Sequence, residues 1–228
     1  YYAEGQISIC KSKLTLAASG NVILDGLLTD RILKIVADDV VIDGFVIQNA
    51  SVCAIDAKGH GNTITNNTIR DSFSGIRLHD SRHSTLSLNN ITNIEDFAIM
   101  IEYSSNNTMQ LNEITGPTPS WRYGIILYYA SDNIVSSNKV SGLYLGISVW
   151  FSSNNTLNSN IAVDNTFGLA LEASPYNILR SNAMANNVCN FGVGIEGVLE
   201  FPWEAVNDVD VSNTVDGKPI YYWVNVSD

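Results

Sequence analysis

The stretch Asn133-Ile134-Val135-Ser136-Ser137-Asn138-Lys139-Val140 returns 22 residues later as Asn155-Thr156-Leu157-Asn158-Ser159-Asn160-Ile161-Ala162, and after a further 22 as Asn177-Ile178-Leu179-Arg180-Ser181-Asn182-Ala183-Met184. Each copy reads asparagine, one residue, aliphatic, two residues, asparagine, one residue, aliphatic. Working back toward the N-terminus, Asn107-Thr108-Met109 with Asn112 and Ile114 repeats it, as do Ser84-Thr85-Leu86 with Asn89 and Ile91, and Asn62-Thr63-Ile64 with Asn67 and Ile69. The second asparagine column, Asn67, Asn89, Asn112, Asn138, Asn160 and Asn182, advances by 22, 23, 26, 22 and 22 residues. An independent column, Gly75-Ile76, Ala98-Ile99, Gly124-Ile125, Gly146-Ile147 and Gly168-Leu169, keeps the same register. A fixed period of this length is the mark of a repeat architecture.

Between the columns the residues alternate as short strands do, with Ile125 and Leu127 inward and Ile126 and Tyr128 outward. The Ser, Asn, Gly and Asp corners are too tight for a crossover helix. Short strands joined by tight corners must coil, and each coil stacks on the next by parallel pairing about 4.8 Å away. The sequence therefore predicts an all-β, right-handed, single-stranded parallel β-helix over residues 1–195, with less regular coils at its front. Residues 196–228 are read as a loop and a C-terminal strand or cap of the same domain. The corner asparagines read as turn formers, since asparagine tolerates left-handed backbone and its amide can bond the next one in a stack.

The chain has 228 residues, 12 Lys and Arg against 23 Asp and Glu, and a net charge of −11, which disfavours nucleic acid as a partner. Its apolar runs are too short to insert in a bilayer. The opening Tyr1-Tyr2-Ala3-Glu4-Gly5 lacks the pattern of a leader peptide, so an exported protein would begin there in mature form. Cys10, Cys53 and Cys189 are read either as free thiols or as one disulfide with a spare. Neither these nor His60, His79 and His83, read as solvated turn residues, form a soft-ligand cluster, so no metal or cofactor is expected.

The phrases Val40-Val41-Ile42-Asp43-Gly44-Phe45, Asn66-Asn67-Thr68-Ile69, Ser153-Asn154-Asn155-Thr156-Leu157 and Ser212-Asn213-Thr214-Val215-Asp216-Gly217-Lys218-Pro219-Ile220-Tyr221-Tyr222-Trp223 resemble the NosD-like β-helix family. That family is named for a periplasmic copper-site maturation protein and is abundant in cell-surface proteins of methanogenic archaea. The Asn-Thr-Val-Asp-Gly-Lys-Pro phrase is similar to the archaeal surface branch. The resemblance implies an extracellular or cell-surface location. It is nearly silent on activity, because sugar-binding, sugar-hydrolysing and surface-layer proteins share the repeats.

Two function classes stand against each other. As the alternative, a polysaccharide-binding or polysaccharide-processing protein of lyase, epimerase or hydrolase type, the chain would use the outward column Lys58, His79, Glu102, Tyr128, Trp150 and Glu172, whose first three members are weak candidates for acid–base chemistry. Asp56 and Arg77 pair in the next column. The aspartate-proline-histidine signature of related uronan epimerases is missing. As a structural or adhesive protein, the reading the residues favour, it would use outward Met100, Ile126, Tyr128 and Trp150 as a binding patch. Tyr103, Tyr129 and Phe151 adjoin that patch at strand ends and are candidate members of it, although strict alternation would turn them inward to finish the core. Trp121 and Arg122 are presented by the Pro-stiffened insertion after Gly116. Sequons at Asn49, Asn66, Asn90, Asn106, Asn154 and Asn225 are candidate glycan acceptors. Both ends look uncapped, with Tyr1, Tyr2, Ile7 and Ile9 in front and Tyr221, Tyr222 and Trp223 behind. Head-to-tail or strand-exchanged assembly into a fibre, sheath or lattice is expected from them, with itself, glycans or other surface proteins as partners.

Overall fold

A computed structural model describes residues 2–3, 5–117, 122–194 and 206–223. The chain winds into three parallel sheets that run the length of a solenoid. Sheet A has eleven strands, among them Thr68–Ser72, Asn90–Ile94 and Glu113–Thr115. Sheets B and C have nine each. Sheet B includes Ile55–Lys58, Ile76–His79, Phe97–Glu102, Tyr123–Tyr128, Leu145–Trp150 and Phe167–Glu172. Sheet C includes Thr63–Thr65, Thr85–Ser87 and Thr108–Gln110. Among the described residues there is no α-helix, and no helix long and apolar enough to cross a membrane.

Register follows the repeat. Ile64, Leu86, Met109, Val135, Leu157 and Leu179 pair in one inward column of sheet C. Ile55, Ile76, Ile99, Ile125, Ile147 and Leu169 do the same in sheet B. All of these side chains are buried, so the core is a stack of aliphatic layers one coil apart.

The recurring asparagines form buried ladders. Asn67, Asn89, Asn112, Asn138, Asn160 and Asn182 each donate from Nδ2 to Oδ1 of the next member, ending on Asn213, at 2.8–3.1 Å. The backbone N–H of each donates to the same oxygen. A second ladder runs from Asn107 through Asn133 and Asn155 to Asn177. The left-handed turn residue is not the stacked asparagine but the one before it: Asn66, Leu88, Leu111, Ser137, Ser159 and Ser181, with φ between 54° and 57°. The stacked amide is thereby left extended enough to reach inward and satisfy the corner's buried backbone groups. A third ladder, Asn165 to Asn187, joins sheets A and B.

Within the segment read as a loop and a C-terminal strand or cap, Asp208–Val209 pairs with Ile178–Arg180 and Thr214–Val215 with Ala183–Ala185, so the described part of it continues the solenoid. Lys218–Pro219 then folds back antiparallel on Thr214–Val215. The expected apolar strand at Ile220–Val224 does not form over its described part. Ile220 and Tyr222 instead pack against the core, Tyr222 edge-on to Phe191 at 6.2 Å, while Tyr221 and Trp223 stay exposed. At the front, Ile7, Leu16, Val22, Leu24, Leu33 and Phe45 line an apolar cavity of about 550 Å³. Ile9 is buried, Tyr2–Ala3 pairs with sheet A, and Tyr1 lies outside the described residues. Cys10 is exposed, Cys53 buried and Cys189 half-buried, all three as free thiols.

Candidate functional site

The outer face of sheet B carries two side-chain columns. Lys58, His79, Glu102, Tyr128, Trp150 and Glu172 stand in direct register, as the repeat predicts. Beside them run Lys34, Asp56, Arg77, Met100, Ile126 and Ser148. The first coils of this face are charged and the later ones aromatic.

In the charged half, contacts run diagonally between columns rather than along them. Arg31 Nε donates to Asp56 Oδ2 at 2.6 Å, and Arg31 Nη1 lies 2.9 Å from Asp30. Arg77 does not pair with Asp56 as expected. Its Nε and Nη2 both donate to Glu102 Oε2. Lys58 Nζ meets Asp80 at 3.0 Å. His79 is a half-buried strand residue rather than a solvated turn residue, with Nε2 3.3 Å from Asp56 Oδ1 and Nδ1 3.5 Å from Asp80. The Nε2 contact is not aligned as a hydrogen bond, and Asp56 Oδ1 has no hydrogen-bonded partner. Lys58, His79 and Glu102 therefore belong to one cluster but do not touch as a trio. Among the described residues no three His, Cys, Asp or Glu are grouped to hold a metal ion.

Arg31, Asp56, Arg77, Asp96 and Glu102 line a cleft of about 280 Å³, with Val52, Phe73, Phe97 and Met100 as apolar wall and Cys53 beneath. Burial alone would raise the Asp56 carboxyl, but the His79 and Arg31 contacts overcome it and hold it below its ordinary value. Burial pushes the Asp96 carboxyl the other way, above the ordinary range, against a hydrogen bond from Ser74. Arg31 and Asp96 escape sequence reading because they stand at the corner between sheets A and B, outside the alternating stretches. Arg31 becomes visible only when Leu33 is set opposite Ile55.

In the aromatic half, Tyr103, Tyr129 and Phe151 point outward, contrary to strict alternation, and are 57%, 47% and 47% exposed. Their backbones sit at φ of 47°, 46° and 49°, so each corner turns left-handed and presents two consecutive side chains to solvent. Tyr129 stacks on Tyr103 at 5.5 Å and on Phe151 at 5.0 Å. Tyr128 meets Tyr129 and Trp150 edge-on, and Tyr123 meets Trp150 at 5.9 Å and Tyr144 at 6.4 Å. Ile126, expected as part of an exposed patch, is only 3% exposed although it occupies an outward position. Ser148 Oγ, Trp150 Nε1 and Arg122 Nη1 are buried polar atoms without a partner on or beside this face. Trp121 and Asn225 lie outside the described residues.

The other sequons divide by exposure. Asn66, Asn90, Asn106 and Asn154 are exposed, whereas Asn49 is half-buried and its amide donates to Asp25.

The family model for a right handed beta helix region matches residues 32–183 and 112–215. The chain belongs to this right-handed β-helix family. No curated protein sequence matches it. Among solved structures it is similar to the periplasmic alginate epimerase AlgG, with TM-score 0.67 and 19% identity over 82% of this chain and 48% of that one. It is also similar to pectate lyase Pel9A, with TM-score 0.64 and 11% identity over 97% and 69%. A third is the enzymatically active domain of bacteriophage CBA120 tailspike protein 2, with TM-score 0.63 and 13% identity over 76% and 31%. The chain spans about half the length of the epimerase. At these identities the shared property is the β-helix fold.

Proposed function

We propose that this β-helix is a polysaccharide-binding protein of an exported or cell-surface setting, and that the outer face of sheet B is its binding face. The observation that carries the reading is the union on one face of an exposed aromatic wall and a charged cleft. The charged groups lining the cleft can donate to and accept from the hydroxyl groups of a sugar. Aromatic rings supply apolar contact area for the C–H faces of sugars. The alginate epimerase and pectate lyase structures, each named for a polysaccharide, support the same reading. The likeness of the Ser212–Trp223 phrase to surface proteins supports the location.

The test is titration calorimetry with a panel of plant, algal and bacterial oligosaccharides. A bound oligosaccharide should lose at least tenfold in affinity with Tyr129→Asn, which keeps a residue tolerant of the left-handed corner, and with Trp150→Ala. Binding unchanged in both variants would remove this face from the reading.

A second reading, end-to-end assembly into a surface structure, is favoured by the open apolar cavity at the front of the solenoid. Since Ile220 and Tyr222 cover the rear, the front would form the joint. Light scattering that finds only monomers at millimolar concentration would dismiss it.

A further inference from the structure

We infer that the cleft bounded by Arg31, Asp56, Arg77, Asp96 and Glu102 is a subsite for an uncharged sugar, and that it discriminates against uronates and other acid sugars. This rests on the polysaccharide-binding reading above and names its substrate class. It departs from the acid polysaccharides in the names of two of the similar structures.

The argument begins with where the cationic charges are already spent. Arg31 faces Asp56 and Asp30, and Arg77 gives two N–H groups to Glu102. The cleft wall thus holds two guanidinium groups against three carboxyl groups. Of these, Asp96 is the one whose surroundings favour the protonated form. A sugar carboxylate entering this wall would meet guanidinium groups whose charge Asp56 and Glu102, 7% and 13% exposed, already neutralise, and it would stand beside those carboxylates without an uncommitted guanidinium to offset the repulsion. The net charge of −11 adds long-range repulsion.

A neutral sugar meets none of these obstacles. Each guanidinium carries five N–H donors and has committed about two, so donors remain for hydroxyl oxygens. The carboxylates accept from hydroxyl groups without giving up their cations. Val52 and Phe73, both partly exposed, offer an apolar surface for a pyranose C–H face.

The adjoining cavity is the place where an acid would be drawn if anywhere. It is lined by Arg31, Lys34, Lys58, Arg77 and His79, with Asp56 as its carboxylate. Arg31, Arg77 and Lys58 are engaged by Asp56, Glu102 and Asp80. That leaves Lys34, which is exposed and weakly able to fix an anion by itself.

The experiment is calorimetry at low ionic strength, where attraction for anions is strongest. The probes are cello-, manno- and xylohexaose against hexagalacturonate and hexaguluronate. At least one neutral hexamer should bind, and every acid hexamer should be at least tenfold weaker. Glu102→Gln releases Arg77, and should narrow that preference by tenfold or more. Arg77→Gln, which removes the cation an acid would need, should leave the preference for neutral sugar in place. An acid hexamer binding as tightly as the neutral ones, with affinity that falls on adding salt and on Arg77→Gln, would overturn the inference and leave the polysaccharide reading standing. Failure of all hexamers, together with the wider panel, would overturn the polysaccharide reading and this inference with it.

Discussion

Burial pushes the Cys53 thiol up to about 12, and the nearby Asp56 carboxylate acts in the same direction. The thiol is therefore protonated and shielded at pH 8, although it lies beneath the charged cleft. Iodoacetamide should modify exposed Cys10 readily and Cys53 only in denaturant, as read by peptide mass spectrometry. Labelling of both at similar rates would mean that the cleft floor opens. Asp56 makes a second prediction at this scale. Its folded pKa lies below its ordinary value of 3.8, so the stability it contributes is present above that value and lost as pH falls through the lower folded one. Urea unfolding should show wild type losing more stability than Asp56→Asn between pH 5 and pH 2. Parallel losses would show that the Arg31 and His79 contacts do not stabilise the folded state. This cluster was legible in the sequence only in outline. Asp56, Arg77, His79 and Glu102 could be set in register, but long flexible side chains choose partners by distance across coils on either side, which periodicity does not report.

At the scale of one coil, the ladder amide and the left-handed residue before it do different work. Asn138 accepts from Asn112 Nδ2 and backbone N–H, and donates to Met109 O and Asn160 Oδ1. Asn138→Ala should cost about 3 kcal/mol or more, because it strands buried donors and an acceptor as well as deleting bonds. Asn158→Ala, on the exposed outer side, should stay within about 0.5 kcal/mol when both variants are unfolded by guanidinium chloride titration. Equal effects would refute a ladder that holds the coils together. Leu111 is 52% exposed with φ of 55°, an unfavourable conformation for leucine. Leu111→Asn should stabilise by about 0.5–1 kcal/mol, in line with the asparagine found at the equivalent Asn66. A loss of stability would show that the leucine side chain makes packing contacts worth more than its backbone strain.

Over the described residues, the first coils pack around an apolar cavity, whereas the middle coils enclose fully buried aliphatic layers. Amide hydrogen exchange should therefore be fastest at Ile7–Ile9 and Thr15–Ala17 and slowest at Tyr123–Tyr128 and Leu145–Trp150. Uniform protection from front to middle would contradict this gradient. The sequence by itself determined the solenoid, its period, the inward columns and the outward register on sheet B. It could do so because in a coil of fixed length the residue 22 places on is also the neighbour in space, so a one-dimensional pattern is already a contact map. Only the tertiary structure decided that Arg77 joins Glu102 while Arg31 joins Asp56, that Asp96 completes the cleft, and that Ile220 and Tyr222 close the rear. Only it decided that Tyr103, Tyr129 and Phe151 face solvent, because that depends on left-handed corners at residues whose side chains do not announce them.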